Sequence, residues 1–126
     1  MFNIPKNLKY TNDHVWVLLK SDTAFIGITD YALQRETDRL VYIQMPEQGV
    51  QIDKGAELVT VEGGAGLLTI QSPLTGTIIE TNDKAEDNPE SVNDDPYGDG
   101  WLCRIRYSND SELGDLLAPS AYSAIF

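Results

Sequence analysis

The sequence predicts a mainly β fold, built from short antiparallel strands with short helices at its edges. Turn-forming residues interrupt the chain at short intervals, and runs rich in β-branched and aromatic residues lie between them. The predicted strands are His14–Leu19, Ala24–Thr29, Leu40–Met45, Glu57–Val61, Leu67–Gln71, Thr77–Thr81 and Trp101–Tyr107. Short strands at this spacing are typical of an antiparallel sandwich or barrel.

Helix is expected at two places along the chain. Thr29 and Asp30 can cap a short helix that continues to about Glu36. Further on, Asp110–Leu117 carries leucines at helical spacing, and after a proline a second short helix is expected over Ala121–Phe126. We expect these helices to pack at the edge of the sheets.

Length and charge limit the possible partners. The 126 residues suit one domain with one core, so residues 1–126 are predicted to form a single domain. There are 9 Lys and Arg against 20 Asp and Glu, a formal net charge of −11. This excess repels phosphate groups and argues against nucleic acid and anionic membranes. A basic protein surface is the better candidate partner.

The numbers of cysteine and histidine residues limit the cellular compartment and the kinds of metal site that can be expected. Cys103 is the one cysteine and cannot form an internal disulfide, and no signal-peptide core or membrane-spanning run is apparent. These features favour a reducing cytoplasm. With one Cys and one His, a zinc site of the Cys/His type is excluded within one chain. We therefore expect a cytoplasmic protein without a metal. We also expect a monomer.

Negative charge is concentrated in residues 80–99, here called the acidic segment, which carries a net charge of −7. Its Asn, Pro and Gly residues predict a long surface loop. The loop could be a solvated surface or a docking surface for a basic partner. Its acids lack the register of a calcium-binding loop. The residues expected to contact a partner, in this segment and at one other position, are Glu62, Glu86, Asp87, Glu90, Asp94 and Asp95.

The sequence contains no recognisable catalytic motif. His14 precedes a predicted strand and is interpreted as a structural hydrogen-bonding residue, since no Ser or Cys pattern accompanies it. Cys103 lies on a predicted strand and is interpreted as a buried thiol. Paired carboxylates and metal-ligand clusters are also missing, so an enzyme is not expected. Gly63–Gly66 is interpreted as a tight hairpin turn.

Several short motifs recur in a fixed order over nearly the whole chain. They are Leu8-Lys9-Tyr10 with His14 and Trp16; Gly27-Ile28-Thr29-Asp30 with Ala32; Val41–Glu47 with Gly49; Asn88-Pro89-Glu90, Val92-Asn93, Pro96-Tyr97 and Gly100-Trp101; and Leu116-Leu117 with Ala121-Tyr122. Together they resemble the glycine cleavage system H protein family, whose members are lipoyl carriers.

This resemblance implies a lipoyl/biotinyl-carrier-like fold: a flattened barrel of two antiparallel sheets, or barrel-sandwich hybrid, with short flanking and C-terminal helices. It also implies a lysine at the tip of a β-hairpin that carries lipoate. In the family, the lipoyl arm visits the decarboxylase, the aminomethyltransferase and the dihydrolipoamide dehydrogenase.

The sequence departs from the family pattern at the attachment position. Aligned from Pro73 and Gly76, the family lysine falls on Ala65, whose methyl group cannot form the amide. No lysine occurs between Lys54 and Lys84. Of the flanking motif Glu62 persists, while the hairpin tip otherwise reads Gly63, Gly64, Ala65 and Gly66. Three polar positions that help to line the family's arm cleft are also replaced; they read Val15, Tyr31 and Thr69.

Two functional hypotheses follow from these departures. In the first, the chain is not lipoylated, has no cofactor, and acts by protein binding as an adaptor, decoy or regulator. Its partners would be glycine cleavage components or a lipoate-handling enzyme, contacted through the hairpin tip and the acidic segment. In the alternative, the chain is a functional lipoyl carrier that is modified at an atypical lysine such as Lys54.

Overall fold

The computed structural model describes residues 2–126, and within them the chain forms nine β-strands and several short helices. The strands are β1 Lys9–Tyr10, β2 Val15–Lys20, β3 Thr23–Ile28, β4 Leu40–Gln44, β5 Gln51–Ile52, β6 Glu57–Gly63, β7 Gly66–Gln71, β8 Gly76–Thr81 and β9 Cys103–Tyr107. The α-helices are α1 Asp30–Arg35, α2 Asp83–Asp87, α3 Glu90–Asp94 and α4 Pro119–Ser123, and a 3₁₀ helix spans Asp110–Asp115.

The strands form two antiparallel sheets. One has six strands in the order β1-β2-β3-β9-β8-β5, and the other has three in the order β4-β6-β7. The main hydrophobic core joins them, since it contains Ile26 and Ile105 of the larger sheet together with Ile43 and Val61 of the smaller one. The predicted mainly β fold with two antiparallel sheets and short helices is confirmed. The sheets are not closed into a barrel.

Strand β2 is buried on both of its faces over residues 15–17, which explains the apolar sequence of its first half. Val15 points into the core between the sheets. Trp16 points the other way, into a second cluster that contains Leu8, Tyr10 and Tyr122. The two short strands β1 and β5 were not predicted, because two residues are too short a run to show a period of two.

Helix α1 begins and ends close to the predicted positions. Thr29 has extended backbone geometry, and its hydroxyl accepts a hydrogen bond from the amide of Ala32 at 3.3 Å. The helix ends at Arg35, with Glu36 as the C-terminal cap. Because the threonine side chain is buried, this cap contributes both a hydrogen bond and packing at the start of the helix.

The prediction that the acidic segment is a long loop was wrong. The segment contains α2 and α3, each of which places one apolar residue, Ala85 or Val92, completely inside the protein. Asn93 fixes α3 further, because its side chain bonds both the amide and the carbonyl of Leu40 at 2.9 and 3.0 Å. Because the segment is rich in acidic residues, its composition did not indicate that Ala85 and Val92 are buried.

The end of the chain also differs from the prediction. The expected helix Asp110–Leu117 is a 3₁₀ helix over Asp110–Asp115. The expected helix Ala121–Phe126 is instead α4, which begins at Pro119 and ends at Ser123. The proline is the first helical residue rather than a break before it, because a missing N–H costs nothing at that position. Among the described residues, no helix is both long and apolar enough to cross a membrane.

Candidate functional site

The β6–β7 hairpin carries the candidate attachment position. Its strands pair from Glu57 and Gln71 at the base to Gly63 and Gly66 at the far end. This leaves Gly64-Ala65 as a two-residue turn, and Gly66 has φ of 141°, a backbone conformation that favours glycine. The hairpin tip, Gly63–Gly66, thus lies where the sequence predicted it.

The tip is bound to the connection between α1 and β4, which we call the tip-contact loop and which comprises Thr37, Asp38 and Arg39. The amide of Ala65 donates to the carbonyl of Thr37 at 3.0 Å, and the amide of Gly64 donates to the carbonyl of Arg39 at 3.3 Å. The tip is therefore held by its backbone rather than by its side chains.

Glycine at position 63 makes this contact possible. A Cβ atom there would lie 2.0 Å from the Thr37 carbonyl oxygen, a separation that real atoms do not reach. At Gly64 a Cβ would lie 3.0 Å from a carboxylate oxygen of Asp38, whose side chain could move aside. The close approach of two backbones at Gly63 is a feature that the turn propensity of glycine alone did not reveal.

The side chain of Ala65 is exposed at the end of the turn. Lys54 lies at the other end of the hairpin, in the turn before β6, and its Nζ is 2.5 Å from an Asp115 carboxylate oxygen. The seven residues of β6 separate the two ends by roughly 20 Å. Lys84 lies in α2, with its Nζ 3.5 Å from Asp99. Both flanking lysines are thus remote from the tip in sequence and are engaged with carboxylates.

The three positions that were expected to line an arm cleft differ in their surroundings. Val15 is completely buried between the sheets and presents no surface to a ligand. Tyr31 is half-buried on α1 and packs against other aromatic rings. Thr69 alone of the three lines an open groove beside β7. Successive side chains of β2 point to opposite faces of the sheet, so Trp16 lies on one face and Val15 faces the core between the sheets.

The groove beside β7 has a volume of about 290 Å³. It is lined by side chains from the turn before β2, the end of α1 and β7 itself, among them Asp13, His14, Glu36, Leu68, Thr69 and Gln71. Sequence reasoning missed Asp13 and Glu36 as groove residues. They are 23 positions apart in the sequence, and the fold brings both to the groove beside His14, whose Nε2 lies 3.9 Å from Glu36.

His14 stands between this groove and the interior. Its Nδ1 lies 2.7 Å from the hydroxyl of Tyr122, which in turn lies 2.8 Å from the hydroxyl of Thr29. Its Nε2 lies 3.9 Å from a carboxylate oxygen of Glu36. Burial lowers the pKa of His14, while the charges of Glu36 and Asp13 oppose that shift. The predicted hydrogen-bonding role of His14 is confirmed.

Burial also shifts the pKa of other titratable groups near the core. It raises the pKa of the Tyr122 hydroxyl to about 12, against the hydrogen bond with Thr29. It raises the pKa of the Cys103 thiol to about 12 as well. This cysteine is completely buried, as predicted. A thiol with so high a pKa is almost wholly protonated at neutral pH and is a poor nucleophile.

The candidate partner-contact residues fall into two groups. Three of them serve the fold: Glu90 pairs with Arg39, Glu86 accepts from the amide of Met45 at 3.2 Å, and Asp95 accepts from the amide of Asp99 at 3.0 Å. The others, Glu62, Asp87 and Asp94, are exposed.

Arg39 connects the hairpin tip to the acidic segment. Its carbonyl accepts the bond from Gly64, and its guanidinium group pairs with Glu90 on α3. The two regions that the sequence suggested as contact surfaces are therefore joined through one residue. Within residues 2–126, no group of three His, Cys, Asp or Glu side chains is placed to hold a metal ion.

Comparison with known proteins gives a consistent result. A family model described as "Glycine cleavage H-protein" matches residues 8–126. The chain is 42% identical over 123 residues to a glycine cleavage system H protein of Bacteroides thetaiotaomicron, covering 98% of this chain and 97% of that protein. It is 43% identical over 124 residues to the H protein of Marinobacter nauticus, covering 98% and 95%.

The fold agrees with a solved structure as well. The crystal structure of a glycine cleavage system H protein from Mycobacterium marinum superposes with a TM-score of 0.89 at 31% sequence identity. The match covers 97% of this chain and 98% of that one. The similarity therefore extends over both sheets and the flanking helices, rather than over one motif.

Proposed function

Because the chain belongs to the glycine cleavage H-protein family, we propose that it acts within this family as a binding protein that carries no lipoyl group. The family consists of lipoyl carriers rather than catalysts, which agrees with the expectation that the chain is not an enzyme. The single observation that carries the proposal is the hairpin tip, where the exposed residue is Ala65 and no amine is available.

The attachment of the tip supports the proposal further. A tip whose backbone is fixed presents a preordered surface to a partner, which lowers the cost of binding. Here the amides of Gly64 and Ala65 are hydrogen-bonded to the tip-contact loop, and Gly63 approaches that loop at backbone distance. Gly63, Gly64 and Ala65 together allow the tip to pack against the tip-contact loop.

The alternative, a carrier modified at Lys54, has less support. The amide of Lys54 donates to the hydroxyl of Thr75 at 3.0 Å, and its ammonium group is paired with Asp115. Lipoylation would require this lysine to leave its carboxylate partner and to lose its charge. Lys54 also lies at the base of the hairpin rather than at its tip.

The proposed contact surface comprises the exposed carboxylates Glu62, Asp87 and Asp94 and the tip beside them. Arg39 ties the tip to α3, so a partner that binds one region meets the other in a fixed position. A net charge of −11 favours a basic partner surface. We propose that the partners are glycine cleavage components or a lipoate-handling enzyme, and that the chain meets them as a cytoplasmic monomer acting as an adaptor, decoy or regulator.

A reconstituted glycine cleavage assay tests this proposal. The assay contains the three partner enzymes and a lipoylated carrier such as the Bacteroides thetaiotaomicron protein, and the chain is added in increasing amounts. We expect inhibition, since the chain occupies carrier docking sites without transferring a group. An Asp94→Lys variant should inhibit less, while Asp110→Lys, which makes the same charge change on the 3₁₀ helix, should inhibit like wild type.

Two outcomes would overturn the proposal. If the chain, after treatment with a lipoate ligase, supports glycine oxidation in place of the lipoylated carrier, it is itself a carrier. If it neither inhibits nor supports the reaction and fails to bind any of the partners or the ligase, these proteins are not its targets.

A further inference from the structure

The outer face of the larger sheet carries a pocket that shares no residue with the hairpin tip or with the groove beside β7. We call it the aromatic pocket. It has a volume of about 250 Å³, and its apolar walls are Trp16 and Leu18 of β2, Phe25 of β3, and Tyr97 and Trp101 from the segment between α3 and β9. Apart from Trp16, each of these side chains is only partly buried. The fold therefore leaves an aromatic surface open to solvent.

The register of the strands places a cation beside this surface. Trp16, Leu18 and Lys20 alternate along β2 and so lie on one face of the sheet. Phe25 lies directly opposite Leu18 on the neighbouring strand. Lys20 also lines the pocket, with its Cα roughly 7 Å further along the strand than that of Leu18. The pocket thus has an aromatic part and, at one end, an ammonium group.

The charge of Lys20 has no partner within residues 2–126, where this side chain takes part in no ion pair. The acidic residues near the pocket have partners of their own: Asp22 pairs with Arg106 and Asp99 with Lys84, both at 3.5 Å, and Asp95 accepts from the amide of Asp99. An anion in the pocket would therefore meet a cation that no carboxylate of these residues already holds.

The walls of the aromatic pocket are held in place without a ligand. The indole N–H of Trp16 donates to the carbonyl of Pro96 at 3.0 Å. The hydroxyl of Tyr97 donates to the carbonyl of Asn3 at 2.7 Å and accepts from the amide of Asp30 at 2.9 Å. A ligand would thus meet a preformed site, so little of the binding free energy is lost in ordering the protein.

Size and lining indicate the class of ligand. A volume of about 250 Å³ lies just below the range of about 300–1,000 Å³ that drug-sized ligands occupy, which favours a single ring on a short chain. Aromatic walls favour an aromatic ring, because aromatic pairs gain energy beyond the burial of area. Phe25 and Trp101 already form such a pair, edge to face, with centroids 5.4 Å apart. The ammonium group of Lys20 favours a carboxylate at the other end of the ligand.

We propose that the aromatic pocket binds a small aromatic carboxylate, with its ring among Trp16, Phe25 and Trp101 and its carboxylate paired with Lys20. The pocket shares no residue with the contact surface proposed above, so the site does not depend on that function. The net charge of −11 would by itself favour a cationic ligand, whereas the pocket favours an anionic one. The charge of the ligand is therefore the decisive variable.

NMR titration with 3-phenylpropionate at pH 7.5 tests this site. Trp16 and Trp101 are the two tryptophans of the chain and both line the pocket, so their indole N–H resonances report its occupation. Both should shift, with a dissociation constant of about 1 mM, as fits a ligand of so few atoms. 3-Phenylpropylamine, which has the same ring and chain length with the opposite charge, should bind about threefold more weakly or worse.

A pair of lysine variants separates the ion pair from general charge effects. Lys20→Gln should weaken the binding of 3-phenylpropionate about threefold, the size expected for an exposed ion pair. Lys9→Gln is the matched control, because Lys9 is also exposed, lies on the adjacent strand β1 and does not line the pocket. It should bind like wild type. Neither replacement removes a buried side chain, so both variants should fold.

Three results would overturn the proposal. The first is that neither indole resonance shifts at about 10 mM 3-phenylpropionate, where a site of millimolar affinity would be about nine-tenths filled. The second is that the amine binds as tightly as the carboxylate. The third is that Lys20→Gln binds 3-phenylpropionate no more weakly than Lys9→Gln.

Discussion

Gly63 shows how one missing Cβ can determine a local structure. The Thr37 carbonyl oxygen occupies the space that any side chain at position 63 would need, at 2.0 Å from the position of a Cβ. The glycine therefore has a steric role in addition to its role in the turn. The tip and the tip-contact loop can approach each other only while this position lacks a side chain.

We predict that Gly63→Ala lowers the free energy of unfolding by about 1–3 kcal/mol, the usual cost of forcing extra atoms into a packed site. Urea denaturation measures the change. Gly114→Ala is the matched control, because a Cβ at Gly114 meets nothing within 4 Å. It should change the stability by less than about 0.5 kcal/mol. Equal losses in the two variants would contradict the steric role of Gly63.

His14 provides a second prediction at the scale of a residue. Because burial lowers its pKa in the folded protein, the unfolded chain binds a proton more readily. The contribution of His14 to stability is therefore complete above its ordinary pKa of about 6.5 and is lost as the pH falls through that value toward the lower pKa of the folded state.

Urea denaturation of wild type and His14→Asn between pH 7.5 and 5 checks this prediction. Asparagine tolerates the positive φ of 67° found at position 14. We expect stability to fall more steeply with decreasing pH in the wild type than in the variant, because the carboxylates titrate in both. A steeper fall in the variant would show that the pKa shift has the opposite sign.

At the scale of elements, the acidic segment is more ordered than its composition indicates. Helices α2 and α3 each bury one apolar residue, and Asn93 bonds both backbone groups of Leu40 at the start of β4. Since β4 follows the tip-contact loop directly, α3 also positions the surface on which the hairpin tip lies.

Asn93→Ala should therefore lower the free energy of unfolding by about 1–3 kcal/mol, because it removes the partner of two backbone groups. Asp94→Ala changes an exposed neighbour on the same helix and should be nearly neutral. Urea denaturation distinguishes the two variants. A neutral Asn93→Ala would mean that α3 does not support β4 in solution.

The sequence predicted those elements whose signals are local. Alternation, turn residues and the Thr29 cap placed the longer strands and α1. It could not place α2 and α3, because Ala85 and Val92 are single apolar residues without a period. It also did not indicate that Asp13 and Glu36 share a groove or that Val15 faces the core. Those placements depend on packing between elements that are distant in the sequence.

At the scale of the whole molecule, one core joins the two open sheets, and the family match spans residues 8–126. We predict that the chain unfolds as a single cooperative unit. The fluorescence of Trp16 and Trp101 and the far-ultraviolet circular dichroism should give the same urea midpoint. Two separate transitions would contradict the single domain proposed for residues 1–126.

Because its hairpin tip has no lysine, we predict that this family member carries no lipoyl group. Intact mass spectrometry after co-expression with a lipoate ligase and supplied lipoate checks this prediction. The wild-type chain should keep its unmodified mass. Ala65→Lys, whose new side chain projects from an exposed position, should be lipoylated at least in part. Addition of one lipoyl group to the wild type, lost in Lys54→Ala, would contradict the claim.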